Sequence, residues 1–179
     1  MIDSKKIEDD TSSHRISPQQ KILKLKYIKS AIFSMNHPEP YPVLLAEDND
    51  SDLIFLEHAI RKAGVSVSLQ LVRNGEEAVN YLLGEGKYAD RERYPLPMLI
   101  ITNMKMPRMN GLELLTWVKQ QPNFKHLPVI VMSSSEDPDE MNQVTTLGGS
   151  AYFVKTSSLN MLAEIVKKMI SFLLRSQEP

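Results

Sequence analysis

Cysteine is absent from this 179-residue chain, which removes disulfides, thiol nucleophiles and thiolate metal sites at a stroke. Histidine is scarce. His14, His37, His58 and His126 are the only four, and no two share a metal-ligand spacing, so a zinc enzyme is not expected. Glycine is sparse at seven residues, and none forms a phosphate-cradling loop after the first apolar segment. Charge of one sign is missing as well: 21 basic residues against 22 acidic ones leave a formal −1, which gives no electrostatic case for nucleic acid. No apolar run approaches the ~20 residues of a membrane span, and no signal peptide is visible. These absences point to a soluble, cytoplasmic protein. The hydrophobic fraction of 42% is ordinary and sufficient for a core.

Residues 1–40 read as an N-terminal extension. Its first part, to about residue 19, is polar and without periodicity, the composition of a disordered segment. Residues 20–35 change character, with Leu25, Ile28 and Ile32 at helical spacing among Lys21, Lys24, Lys26 and Lys29. A short amphipathic helix fits this stretch. Its lysines are not confined to one face, which argues against a membrane-surface helix. The proline-rich run from His37 to Pro42 leads into the main domain, expected over 41–175 with a short tail at 176–179.

Within that domain apolar strands and amphipathic helices alternate. Strands are predicted at Val43–Ala46, Val65–Val72, Met98–Thr102, Pro128–Met132 and Ala151–Val154. A helix follows the first strand, capped by Asp50 or Ser51, with Leu53, Leu56, Ile60 and Ala63 inward and Gly64 as its stop. Asn74-Gly75 opens a short helix to Leu83, and a long charged connection runs from Gly84 to Pro97. Gly111–Gln121 is predicted helical with Leu112, Leu115 and Val118 inward, and Trp117 in the core or at an interface. Pro138–Leu147 and Ser157–Leu174 complete the series, the last burying Leu159, Leu162, Ile165, Val166, Met169 and Phe172. Five alternations predict a doubly wound, flavodoxin-like (βα)5 parallel sheet with helices on both faces.

In such a sheet the strands' carboxyl ends share one edge, and functional groups gather there. Glu47-Asp48 ends the first strand, Asn103 the third, Ser133 the fourth and Lys155 the fifth. The set resembles the receiver domain of bacterial two-component response regulators. The resemblance is carried by Glu47-Asp48, by Leu-Ile-Ile-Thr-Asn-Met-Lys-Met-Pro-Arg-Met-Asn-Gly at 99–111, by Pro-Val-Ile-Val-Met-Ser at 128–133 and by Ala-Tyr-Phe-Val-Lys at 151–155. The long connection before the third strand looks most like the regulators that partner cyanobacterial phytochromes.

The resemblance implies a phosphoryl group arriving from a sensor histidine kinase, and it places that acceptor at Asn103. The family has aspartate there. An amide oxygen is a poor nucleophile, so Asn103 marks a degenerate phosphoacceptor position. The same resemblance assigns Mg2+ to Glu47, Asp48, Asn103 and the backbone carbonyl of Lys105. It gives Ser133 a phosphate-meeting hydroxyl, Lys155 the site's cation, and Tyr152 the aromatic that swings inward. Counting Glu47 and Asp48 against Lys155 leaves −1, approaching zero if the Lys105 side chain folds inward, which predicts weak Mg2+ binding. Alternatively the Asn103 carbonyl accepts from Lys155 and no metal is required. The expected protein is a stand-alone receiver-like module with no enzymatic output. It would act through a downstream protein partner or a second copy on the face of the fourth helix, fifth strand and fifth helix. Two other readings stay open: an ordinary phosphoaccepting regulator whose aspartate has been changed to asparagine, and a flavodoxin-like ligand binder.

Overall fold

The computed structural model describes residues 40–175, with side chains to Ile170. The extension at 1–39, with its amphipathic stretch at 20–35, and the tail at 176–179 lie outside the described residues, as does the side chain of Phe172.

Five parallel strands form one sheet in the order β2-β1-β3-β4-β5. They are β1 (Tyr41–Ala46), β2 (Val67–Val72), β3 (Leu99–Asn103), β4 (Val129–Ser133) and β5 (Ala151–Val154). The helices are α1 (Asp50–Ala63), α2 (Gly75–Leu83), α3 (Gly111–Gln120), α4 (Pro138–Thr146) and α5 (Leu159–Arg175). This is the doubly wound flavodoxin-like fold expected from the alternation. No described helix is long and apolar enough to cross a membrane.

Strand side chains alternate between the two faces and so feed two cores. Leu44, Ile100, Val129 and Val131 pack with Ala78 and Leu82 of α2, Leu114, Leu115 and Val118 of α3, and Val144 of α4. Val43, Leu45, Leu99, Ile101 and Ile130 pack with Leu53, Leu56, Ala59 and Ile60 of α1 and with Leu162, Ala163, Val166 and Ile170 of α5. The central strands read as unbroken apolar runs because both faces are covered.

Several boundaries differ from the sequence prediction. β1 starts two residues early, at Tyr41. Proline at 42 is tolerated because the pairing of β1 with β3 begins only at Val43, where Val43 faces Leu99, so the missing N–H falls outside that ladder. The cap of α1 is Asn49, not Asp50 or Ser51: its side-chain oxygen accepts from the N–H groups of Ser51 and Asp52 at 2.8 and 3.1 Å. Ala59 of α1 and Leu114 of α3 are fully buried, while Ala63 and Leu112, expected inward, pack partly buried at the margins of the same cores. Both stripes are rotated slightly toward the sheet. Trp117 is half-buried and stacks on Phe124 with ring centroids 6.0 Å apart.

The connection from Gly84 to Met98 contains a 3-10 turn at Gly86–Tyr88. Arg91 anchors it. The guanidinium donates to the carbonyls of Tyr81 at 2.8 Å, Leu82 at 2.7 Å and Tyr94 at 3.2 Å. Two of these carbonyls, Tyr81 and Leu82, lie in the last turn of α2, and that of Tyr81 also accepts from the Gly84 N–H at 3.2 Å.

Candidate functional site

All the predicted strand-end residues meet at the carboxyl edge of β1, β3, β4 and β5. The parallel register brings them together: Ala46 faces Thr102 across β1 and β3, and Asn103 faces Met132 across β3 and β4. Glu47 is nearly buried at 4% exposure, while Asp48 is exposed.

Asn103 is the centre of the pocket. Its Nδ2 lies 3.2 Å from Glu47 Oε1, 3.1 Å from Asp48 Oδ1 and 2.9 Å from the carbonyl oxygen of Lys105. Three oxygens facing one atom require a donor there, which fixes the amide with its nitrogen inward. Two N–H groups serve three acceptors, so one is shared.

Lys155 is the second hub. Its Nζ donates to Glu47 Oε2 at 2.8 Å and to Asp52 Oδ2 at 2.6 Å. Burial works to lower the ammonium pKa, but the bonds to Asp52 and Glu47 together outweigh it and hold the pKa above the ordinary lysine value. The alternative in which Lys155 donates to the Asn103 carbonyl is therefore corrected. The lysine's partners are carboxylates, and Asn103 turns its nitrogen to the same acid pair.

Asp52 was not anticipated. With Asn49 as the cap, Asp52 becomes the third residue of α1 and reaches back over the end of β1. The pocket charge changes accordingly. Glu47, Asp48 and Asp52 against Lys155 give −3 + 1 = −2 rather than −1. Nor does the Lys105 side chain fold inward. It is 81% exposed and points toward Glu140, with Nζ 3.9 Å from Oε1. Asp50 lies outside the pocket and pairs with Arg73 at 2.6 Å.

The loop after β3 is held tightly. Gly111 packs so closely that a Cβ there would run into the Asn103 carbonyl oxygen. Asn110 caps α3 in a reciprocal box with Glu113. Arg108 takes a left-handed conformation with φ of 66°, turning the chain between Pro107 and the helix. On the far side of the pocket Ser133 is buried, and Tyr152 packs half-buried against the α2–α3–α4 core. Among the described residues there is no cis peptide bond, so Lys155-Thr156 is trans.

The oxygens of Glu47, Asp48 and Lys105 converge as cation ligands would, yet the point they face is filled. Their separations from Nδ2, 2.9–3.2 Å, are hydrogen-bond lengths. Mg2+ demands about 2.0–2.1 Å and near-octahedral geometry. As arranged, the residues fit an amide and not Mg2+. Among the described residues no group of three or more His, Cys, Asp or Glu is placed to hold a metal ion.

Fold and pocket define a class: a doubly wound α/β domain with an acid-and-lysine pocket at the carboxyl edge of one parallel sheet. The chain belongs to the response regulator receiver domain family, whose model matches residues 43–167. Receiver domains are signalling modules of two-component systems. The response regulator Rcp1 of Synechocystis sp. is 29% identical over 137 residues, covering 76% of this chain and 91% of that protein. Among solved structures, the response regulator RPA3017 in red light signaling of R. palustris superposes with a TM-score of 0.73 at 29% identity, covering 77% of this chain and 96% of that one. The phosphorylated cyanobacterial phytochrome response regulator RcpA gives 0.68 at 32% identity, covering 78% and 97%. Rcp1 has also been solved in a Mn2+-bound form, consistent with the divalent-cation binding of receiver domains.

Proposed function

We propose that this chain is a receiver-like signalling module of a two-component phosphorelay that acts by protein–protein contact and takes no phosphoryl group at Asn103. One observation carries this reading: Nδ2 of Asn103 is bonded to all three oxygens that would otherwise face a divalent cation. The position offers an N–H donor where phosphotransfer needs an anionic oxygen. Mg2+ binding is correspondingly weak, because a cation must first displace the amide. The cause is geometric, since the pocket's −2 charge by itself would attract a cation.

Slow conversion of Asn103 to aspartate is disfavoured by the backbone that follows it. Deamidation needs the next backbone nitrogen to attack the side-chain carbon, and the Met104 N–H is tied to the Met132 carbonyl at 2.7 Å.

The partners that suit this reading are a sensor histidine kinase of the phytochrome type and a downstream protein. The likeness to RcpA and RPA3017, named for phytochrome and red-light signalling, supports the first. The output face is α4, β5 and α5, where Met141 is an exposed apolar residue, and a second copy of the chain could use the same face.

A second reading has its own support. Lys155, Glu47 and Asp52 form an intact network, as in a pocket one substitution away from working. Intact mass after incubation with a small-molecule phosphodonor and Mg2+ separates the two, run beside Asn103→Asp. The expected result is an unmodified natural chain and a phosphorylated Asp variant. A phosphoryl group on the natural chain would refute the proposal.

A further inference from the structure

Ser133, Tyr152 and Lys105 come from three different parts of the chain, and all reach one carboxylate, that of Glu140 in the first turn of α4. The Ser133 hydroxyl donates to Glu140 Oε2 at 2.9 Å. The Tyr152 hydroxyl lies 3.0 Å from the same oxygen and 2.7 Å from the Ser135 carbonyl, its single proton shared between them. Lys105 Nζ stands 3.9 Å from Glu140 Oε1. Ser133 also accepts from the Ser135 N–H at 3.1 Å, and its one proton is committed to Glu140.

Acidic residues are common in a first helical turn, where they complement the helix dipole from a solvated position. Asp139, next in the chain, does this and is exposed. Glu140 instead turns toward the sheet, and its side chain is only 20% exposed. A carboxylate placed so has given up much of its hydration. The two hydroxyls replace part of it, while the exposed Lys105 ammonium at 3.9 Å adds only a water-screened attraction.

We infer that Glu140 is a built-in stand-in for the phosphoryl anion. Its carboxylate holds the Ser133 hydroxyl and the inward Tyr152 ring in place from within the chain, and so fixes α4 against β4 and β5 without phosphorylation. The inference rests on the reading above of Ser133 and Tyr152 as the phosphate-responsive pair. It explains how a receiver with an amide at Asn103 presents one defined α4–β5 face: the anion that organises this side of the pocket comes from the protein itself. It also makes Ser133 unavailable to an external anion unless Glu140 lets go.

The test is a double-mutant cycle on the full chain, read by hydrogen exchange of the backbone amides at 136–147. Glu140→Ala and Ser133→Ala should each speed exchange there by about tenfold, the loss expected for one hydrogen bond to a charged group. The double variant should be no faster than Glu140→Ala alone, since that change already removes the bond to Ser133. Effects that multiply, or α4 amides that do not respond, would overturn the latch; loss of a helix-dipole contribution alone would multiply. Tyr152→Phe and Glu140→Gln give the same readout with minimal change of shape should an alanine variant fold poorly. A second arm uses Asn103→Asp with phosphodonor. Phosphorylation should leave α4 exchange unchanged while Glu140 is present and slow it in Asn103→Asp/Glu140→Ala. Slowing in both backgrounds would refute the stand-in role. Absence of a mass gain in Asn103→Asp would instead count against the receiver reading, and the cycle would still decide the latch.

Discussion

Asn103→Asp should make the protein's stability depend on a divalent cation, a dependence the proposed reading does not expect of the Asn103 chain. The amide donates to Glu47, Asp48 and the Lys105 carbonyl, and aspartate turns that donor into a third acceptor facing the same oxygens. The cost falls mainly between the new carboxylate and Glu47, because the Glu47 side chain is only 6% exposed. Asp48 is exposed, so water screens its share. Two like charges about 4 Å apart repel by about 4 kcal/mol at an effective dielectric near 20. Rearrangement and partial protonation relieve some of this, while loss of the amide's bonds adds to it. A net loss of about 3 kcal/mol in chelator is a reasonable balance, or about 10 °C of melting temperature for a domain of this size. Thermal melts of both proteins, in EDTA and in millimolar Mg2+ at matched ionic strength, read it directly. The variant should melt about 10 °C lower in EDTA and recover most of that with Mg2+, as a ligand that binds only the folded state requires. The natural chain should not respond to Mg2+. A rise of several degrees in the natural chain would show that the amide gives way to metal, and an unshifted variant in EDTA would show that the three contacts hold nothing. Either result refutes the reasoning.

Lys155→Met should cost about 3 kcal/mol in a urea titration, since it strands the Glu47 carboxylate in a nearly buried position. Because the folded Lys155 pKa lies above its ordinary value, the ammonium's stabilisation is complete below that value and is lost as pH rises through the raised one. The stability gap between the natural chain and the methionine variant should therefore stay constant from neutrality to about pH 10 and close above it; a gap that closes near neutrality would contradict the assignment. Gly111→Ala should cost about 3 kcal/mol or more, because its Cβ meets the rigid Asn103 carbonyl rather than a side chain that can move; a melt within a degree or two of the natural protein would refute that close approach.

Much of this architecture was legible from the chain alone, for identifiable reasons. The central strands are short apolar runs ended by polar residues, and in a parallel sheet those ends must share an edge. Glu47, Asp48, Asn103, Ser133 and Lys155 could therefore be gathered before any coordinates. What stayed hidden depended on direction rather than position. Asp52 belongs to the pocket only because Asn49, not Asp50 or Ser51, caps α1 and sets the helix phase. Its partner is 103 residues away, beyond any local pattern. Glu140 carried no signal of its own, and nothing in Asp-Pro-Asp-Glu distinguishes the residue that turns inward from the one that turns out. The amide of Asn103 was placed correctly, but which of its atoms faces the acids depends on the surrounding oxygens. Leu114 sits deeper than the expected Leu112, which stays at the core's margin, for a similar reason. Helical spacing defines a stripe, and packing decides where on the cylinder its centre lies.

On the proposed reading, the amide that fills the centre of the pocket also changes what can set the strength of the output. In a receiver charged by a kinase, the active share of the population follows an upstream enzyme from minute to minute. When every group that holds the pocket belongs to the polypeptide, each folded molecule carries the same surface for its whole lifetime. The dose delivered to a partner is then the number of chains present, governed by synthesis and proteolysis.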